Sequence, residues 1–288
     1  MKRRGDSART SGPVVRTAAI KPASASPQNC PFEQDTRGAQ CTARPHRRGS
    51  PMDLTILHDC FDALQRAPTA EAAFPPIAAA AAALGFRYCV YGLRRTLPLA
   101  RPDLQIVGNH PREWEHRYVK FGYVTIDPII KRVASQPRPV VWNAFDEPGD
   151  TAFWHDAACF GMRYGWSHGG YDRAGNLGVL TLVRDTTPLD ADEISRLRAP
   201  CASLAHAAHA YLMPRLADPI APVGTGLTLR EREVLAWTAD GKTAYEIGMI
   251  FGIAERTVKF HLQNAVVKLD AMNKTHAATK AAMLGLLP

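Results

Sequence analysis

The tightest constraint in this chain of 288 residues lies near its C-terminus, where three helical patterns follow one another across very short turns. Thr228-Leu229-Arg230-Glu231 has the spacing of a capping box, in which a Thr hydroxyl and a Glu carboxylate reciprocally satisfy the free amides of a helix start. The helix carries Val234, Leu235 and Trp237 and stops at Asp240-Gly241, where glycine can adopt the left-handed conformation of a helix end. Lys242-Thr243 opens a second helix through Glu246, Ile247 and Ile250, and Gly252-Ile253-Ala254 forms the next turn. A third helix, 255–269, sets Val258, Leu262, Val266 and Leu269 on one face. Such short elements bury their apolar stripes only by packing together, which predicts a helix-turn-helix unit.

The face of the third helix opposite that stripe presents Arg256, Lys259, Gln263 and Val267, the surface a recognition helix turns into a major groove. Lys259 and Gln263 are the candidate base contacts, since Lys bonds guanine O6/N7 and Gln pairs bidentately with adenine. Lys242, Thr243, Arg256, Thr257, His261 and Asn264 suit phosphates, which position a protein without specifying sequence. Spacing alone fits equally a three-helix bundle with a merely solvated polar face. A fourth helix, 275–287, is expected to expose Ala278, Ala281, Ala282 and Gly285.

Charge adds little to the nucleic-acid argument. Of the net +8, residues 1–51 carry ten Lys/Arg against three Asp/Glu, while the other 25 basic and 24 acidic residues nearly cancel. That basic segment has few large apolar residues and no periodicity, so it is expected to be a disordered extension, or an artefact of the chosen start codon. The six cysteines form no C-x-x-C pair and are expected to be reduced thiols, with Cys60, Cys89, Cys159 and Cys201 packed in apolar surroundings. No apolar run is long enough for a membrane span, and no secretory signal is recognisable, which points to the cytoplasm.

Between these ends, residues 53–65 and 70–84 read as amphipathic helices. Short apolar runs at 88–96, 104–109, 138–142, 164–171 and 177–184 read as strands, the last two joined by Asp172-Arg173-Ala174-Gly175-Asn176 as an antiparallel hairpin. Helical patterns at 111–121, 128–135, 151–160 and 189–212 complete an α+β fold: an α-β-α sandwich around an antiparallel sheet, spanning 52–213. Residues 214–226, rich in Pro and Gly, are the expected linker to a DNA-binding domain at 227–288. No Gly-rich phosphate loop or catalytic constellation stands out, so a binding domain is expected rather than an enzyme. His155, Asp156 and Cys159 lie on one predicted helix without an oxyanion-hole motif, and His206 and His209 read as a helix surface rather than a metal site.

The string 227–235, with Gly241-Lys242-Thr243, Glu246-Ile247 and Thr257-Val258-Lys259-Phe260-His261, resembles the LuxR-type DNA-binding domain over about sixty residues. That resemblance implies dimerisation through the fourth helix and a palindromic DNA site. A phosphoacceptor receiver is not indicated, because no acidic pair follows a first strand. Instead Trp114-x-x-x-Tyr118, Asp127-Pro128, Trp142 and Gly165 resemble the autoinducer-binding domain of LuxR-family quorum-sensing receptors, which bind N-acyl-homoserine lactones.

The resemblance implies that Trp142 donates to the lactone carbonyl, Asp127 accepts the amide N–H and Tyr118 donates to the amide carbonyl. Ser167 and Thr181 are further candidates for the amide region, and Trp114 and Phe153 for the walls. His110 departs from the Tyr common near the start of the same helix. Residues 237–244 resemble receptors associated with medium acyl chains. A quorum-sensing transcription factor without a cofactor, acting as a homodimer on double-stranded DNA and contacting RNA polymerase, is thus expected. The alternatives are a response to a different small molecule and a repressor released by ligand.

Overall fold

The computed structural model describes residues 15–19, 54–96, 103–136, 138–148, 151–217 and 226–288. The chain divides into two compact units, with the boundary after Leu216.

In the first unit, β1 (Arg16–Ala19), β2 (Tyr88–Arg94), β3 (Asp103–Gly108), β4 (Val140–Asn143), β5 (Tyr164–Tyr171) and β6 (Leu177–Arg184) form one sheet in the order β1-β3-β2-β6-β5-β4. Strands β1 and β3, β2 and β3, β2 and β6, and β4 and β5 pair antiparallel, with Tyr91 opposite Leu180 and Trp142 opposite Gly165. Asp172 closes the β5–β6 hairpin, its Oδ1 accepting from the amides of Ala174 and Asn176.

Helices α1 (Leu54–Arg66), α2 (Ala70–Ala83), α3 (Arg112–Lys120), α4 (Pro128–Ser135), α5 (Thr151–Cys159) and α6 (Ala191–Leu216) complete the unit. Alternation sorts the central strands between two layers. Tyr91, Leu93, Leu180 and Leu182 are fully enclosed, while Val179 and Val183 of β6 join Trp114, Ile129, Phe153 and Trp154 in an aromatic-rich core with α3, α4 and α5. The expected α-β-α layering is therefore present.

Three expectations need correction. Residues 16–19 are not disordered: they add an edge strand to β3, and Arg16 pairs with Glu115 at 2.6 Å. Pro214 does not open a linker, because α6 continues through it to Leu216, which is buried. Cys159 is disulfide-bonded rather than reduced, whereas Cys60, Cys89 and Cys201 are free and buried as expected. The remainder of the 1–51 extension and residues 218–225 of the expected linker fall outside the described residues.

The second unit holds α7 (Leu229–Ala239), α8 (Ala244–Phe251), α9 (Glu255–Lys268) and α10 (Lys274–Met283). Val234, Leu235, Ile247, Val258, Leu262, Ala265 and Leu269 form its core. Thr228 caps α7 in the expected box, and a second box, Thr243 with Glu246, caps α8. Gly252 ends α8 at φ 64°, the left-handed conformation the turn requires. A Cβ on Gly248 would lie 2.8 Å from the Ile253 carbonyl, so the turn passes too close for a side chain there.

Candidate functional site

A cavity of about 120 Å³ lies between the β2/β3/β6 face and the helices α3, α4 and α5. Sheet residues Val90, Gly92, Leu104, Ile106, Val179, Thr181 and Val183 form one wall at every second position. Trp114, Tyr118, Asp127, Ile129, Trp142, Phe153 and Trp154 supply much of the other. An apolar cavity of about 150 Å³ admits a molecule the size of benzene, so a small apolar group fits as the walls stand and a longer chain must spread them.

Six of the seven sequence-predicted ligand residues, Trp114, Tyr118, Asp127, Trp142, Phe153 and Thr181, line this space. Ser167 does not, but it is fully buried and connects two that do: the Trp142 indole donates to Ser167 Oγ at 3.0 Å, and Ser167 Oγ donates to Thr181 Oγ1 at 3.1 Å. The local fold explains this chain of bonds. Trp142 lies opposite Gly165 in the sheet, and a Cβ there would sit 2.1 Å from its Cζ2, so only glycine lets the indole lie across β5.

Asp127 serves two masters. Its Oδ1 accepts from Ile129 N at 2.7 Å and Ile130 N at 3.3 Å, capping α4 ahead of Pro128, and its Oδ2 accepts from the Tyr118 hydroxyl at 2.8 Å. The helix-cap reading and the site reading thus apply to opposite oxygens of one carboxylate. Burial raises its pKa, opposed by the Tyr118 and backbone hydrogen bonds, and burial with the adjacent Asp127 raises that of Tyr118 well above the phenol range.

A second buried carboxylate braces the wall from behind. Asp156 on α5 accepts two hydrogen bonds from Arg117 on α3, at 2.6 and 2.8 Å, and one from Tyr123 at 2.5 Å. The two helices that carry Trp114, Tyr118, Phe153 and Trp154 are thereby locked together. That role, rather than membership of a nucleophile site, accounts for Asp156.

The sequence reading missed Trp154, Met162, Ile129 and Ile130 on the wall. His110 does reach the cavity; it is buried, and burial with the nearby Arg16 charge lowers its pKa to about 4, leaving a neutral imidazole at neutral pH. His209 is not a simple surface residue: its ring hydrogen-bonds the Tyr91 hydroxyl at 3.1 Å and His168 at 3.2 Å, while His206 is exposed. No group of metal-ligating residues is present among the described residues.

In the second unit, Lys242, Thr243, Arg256, Lys259 and Gln263 are exposed, and Thr257, His261 and Asn264 are partly so. Lys259 rests against Glu255 at 2.7 Å, an exposed pair of the kind that contributes about 1 kcal/mol or less. The Thr243 hydroxyl is occupied by Glu246 in the cap, which leaves it less available to a phosphate than expected. Phe260 and Val267 are strongly exposed on the same helix. The expectation for α10 is half corrected: Ala282 and Gly285 are exposed, but Ala278 and Ala281 are buried against the unit's own core.

Comparison with known proteins agrees with both halves of this arrangement. Residues 69–212 match the autoinducer binding domain, and residues 225–281 match the bacterial regulatory proteins of the luxR family. The transcriptional activator SolR of Ralstonia nicotianae is 40% identical over 230 residues, 80% of this chain and 98% of its own length.

A crystal structure of CepR2 from Burkholderia cenocepacia, described as an N-acylhomoserine lactone dependent LuxR family transcription factor, is 98% identical. It matches with a TM-score of 0.58, covering 59% of this chain and all of that one. Escherichia coli SdiA in crystal form has a TM-score of 0.68 at 28% identity, covering 82% of this chain and 99% of its own. These relatives are regulators of transcription rather than enzymes. With an autoinducer-binding domain ahead of a helix-turn-helix DNA-binding domain, the chain belongs to the LuxR family of quorum-sensing transcriptional regulators.

Proposed function

We propose that the cavity binds an N-acyl-homoserine lactone and that binding controls how a dimer of this chain engages a palindromic DNA site in the cytoplasm. The observation that carries the reading is the convergence of Tyr118, Asp127, Trp142 and Thr181 on one largely apolar space, with Ser167 bonded behind them.

The ligand's amide can insert into the bond between Tyr118 and Asp127. Its N–H goes to Asp127 Oδ2 while the Tyr118 hydroxyl turns to its carbonyl, so one hydrogen bond is exchanged for two, and Oδ1 keeps capping α4. In the same way the lactone carbonyl takes the Trp142 N–H from Ser167, which retains Thr181. Trp114 and Phe153 wall the ring and chain. Each buried methylene of the acyl chain contributes about 0.8 kcal/mol.

On the DNA side, Lys259 and Gln263 read bases, and Lys242, Thr243, Arg256, Thr257, His261 and Asn264 hold phosphates. The exposed Ala282 and Gly285 on the outer side of the C-terminal segment fit a symmetric contact between two copies. Contact with RNA polymerase completes activation.

One observation favours a second reading, in which ligand releases a repressor or the signal is another small molecule. Tyr118 bonds Asp127, and Trp142, Ser167 and Thr181 bond in a chain, so these five side chains find partners within the protein and the domain can hold a DNA-binding form without a ligand to satisfy them. Thermal unfolding of the purified chain against lactones of increasing acyl length tests the primary reading. Ligand at 100 times its Kd should stabilise by about 2.7 kcal/mol. No shift with any lactone rejects it.

A further inference from the structure

Among the described residues, four buried side-chain polar atoms lack a hydrogen-bond partner: His110 Nδ1, Trp154 Nε1, Arg215 Nε and Arg232 Nε. The two arginine atoms are not on the cavity wall, and Arg215 is bound through its other nitrogens to the carbonyls of Tyr211 and Ala67. His110 and Trp154 both line the cavity. An imidazole nitrogen donates or accepts according to tautomer, so His110 makes no fixed demand on an occupant. An indole N–H only donates, and so demands an acceptor.

We propose that Trp154 is a further recognition residue, its indole N–H donating a hydrogen bond to a carbonyl oxygen of the bound ligand. The inference rests on the ligand-binding reading above. Trp154 sits on α5 beside Phe153, with ring centroids 5.0 Å apart, and against Trp142, another indole of the wall, at 5.7 Å. The Trp142 donor is already engaged by Ser167 and the Tyr118 donor by Asp127. Trp154 is therefore a wall donor, buried and without a partner, whose bond to ligand displaces no existing one. Burial without a partner is unfavourable, and an oxygen brought in by ligand removes that penalty.

The test compares wild type with Trp154→Phe, which keeps an aromatic ring and deletes the N–H. The probes are N-octanoyl-homoserine lactone, its 3-oxo analogue and octanoyl glycerol, with Kd measured by calorimetry and the ¹⁵N-indole signals followed by NMR. The Trp154 signal, identified by its loss in the variant, should move downfield on binding. The variant should bind about tenfold more weakly, the effect of one hydrogen bond, while ligand-free thermal stability does not fall in proportion.

An equal loss for both lactones assigns the acceptor to the amide or ring carbonyl, and a loss confined to the 3-oxo compound assigns it to the 3-position. Octanoyl glycerol binding with the same signature and no lactone binding would reject the lactone reading and retain Trp154. Lactone binding with an unmoved Trp154 signal and an unchanged variant Kd would overturn the role of Trp154 alone. Failure of all three probes to bind wild type would overturn both.

Discussion

Replacing Asp127 with Asn separates the two jobs of that carboxylate. Asn is as good an N-cap as Asp, and its Oδ1 can keep the bonds from Ile129 N at 2.7 Å and Ile130 N at 3.3 Å. The other oxygen becomes an NH₂ donor. The Tyr118 hydroxyl, now 2.8 Å from Oδ2, can reverse and accept from it, and the desolvation that raises the Asp127 pKa is relieved. The empty domain should therefore unfold within about 1 kcal/mol of wild type. By contrast, Asp127→Ala removes the cap and should cost about 0.5 to 2 kcal/mol.

For ligand the Asn exchange is severe, because an amide N–H then meets a donor. A charge-assisted bond contributes about 1.5 to 3 kcal/mol, which corresponds to about a 10- to 150-fold rise in Kd. Calorimetric titration of lactone, paired with urea denaturation of the ligand-free variant, reads both quantities. Wild-type affinity in a stably folded Asn variant would refute the assigned role. Equal loss of stability and affinity would show that Asp127 acts through the cap alone.

Gly165→Ala should collapse the site from behind, since its Cβ would fall 2.1 Å from Trp142, and overpacking of this kind costs about 1 to 3 kcal/mol; denaturation and lactone titration should both register it. Acidification should weaken the first unit, because burial lowers the pKa values of both His110 and His209 to about 4. Their contribution is fully present above about pH 6.5 and is lost as pH falls towards 4, by up to about 1.4 kcal/mol per pH unit for each group. His110→Gln should flatten part of that slope in urea titrations across the same window.

In the DNA-binding unit, Glu231 is only 2% exposed and accepts from Lys268 at 2.8 and 2.9 Å as well as from the Thr228 amide. Lys268→Met should destabilise it by about 1 to 3 kcal/mol, less than for a fully enclosed pair because the Lys268 side chain is 35% exposed; urea unfolding measures this.

What could be read from sequence follows the range of the interactions. Strands β5 and β6 and helix α4 fall at their expected bounds because turn chemistry and the Asp127-Pro128 cap are local. Strand β1 was illegible: Arg16-Thr17-Ala18-Ala19 has no apolar alternation, and its pairing to β3 and to Glu115 bridges about a hundred residues of chain. Pro214 misled because a helix can carry proline when packing compensates, and Met213 and Leu216 on either side of it are buried.

In α10, alanines suit either a close internal contact or an outer dimer face, and only the fold shows that Ala278 and Ala281 face inward. The site was largely visible through its aromatic and acidic residues. Trp154 was not, because adjacent helix positions rarely share a face, yet α5 buries both Phe153 and Trp154 over a wide arc. The second capping box, Thr243 to Glu246, carried a readable Thr-x-x-Glu signal that went unused.

The most direct test of the account is the affinity of the full chain for a palindromic promoter site, titrated by fluorescence anisotropy with and without saturating N-octanoyl-homoserine lactone. Lactone should change the DNA Kd by about 5- to 150-fold, and DNA should change the lactone Kd by the same factor. An unchanged DNA affinity with lactone demonstrably bound would contradict it, because a ligand that favours neither DNA-binding state cannot regulate by shifting between them.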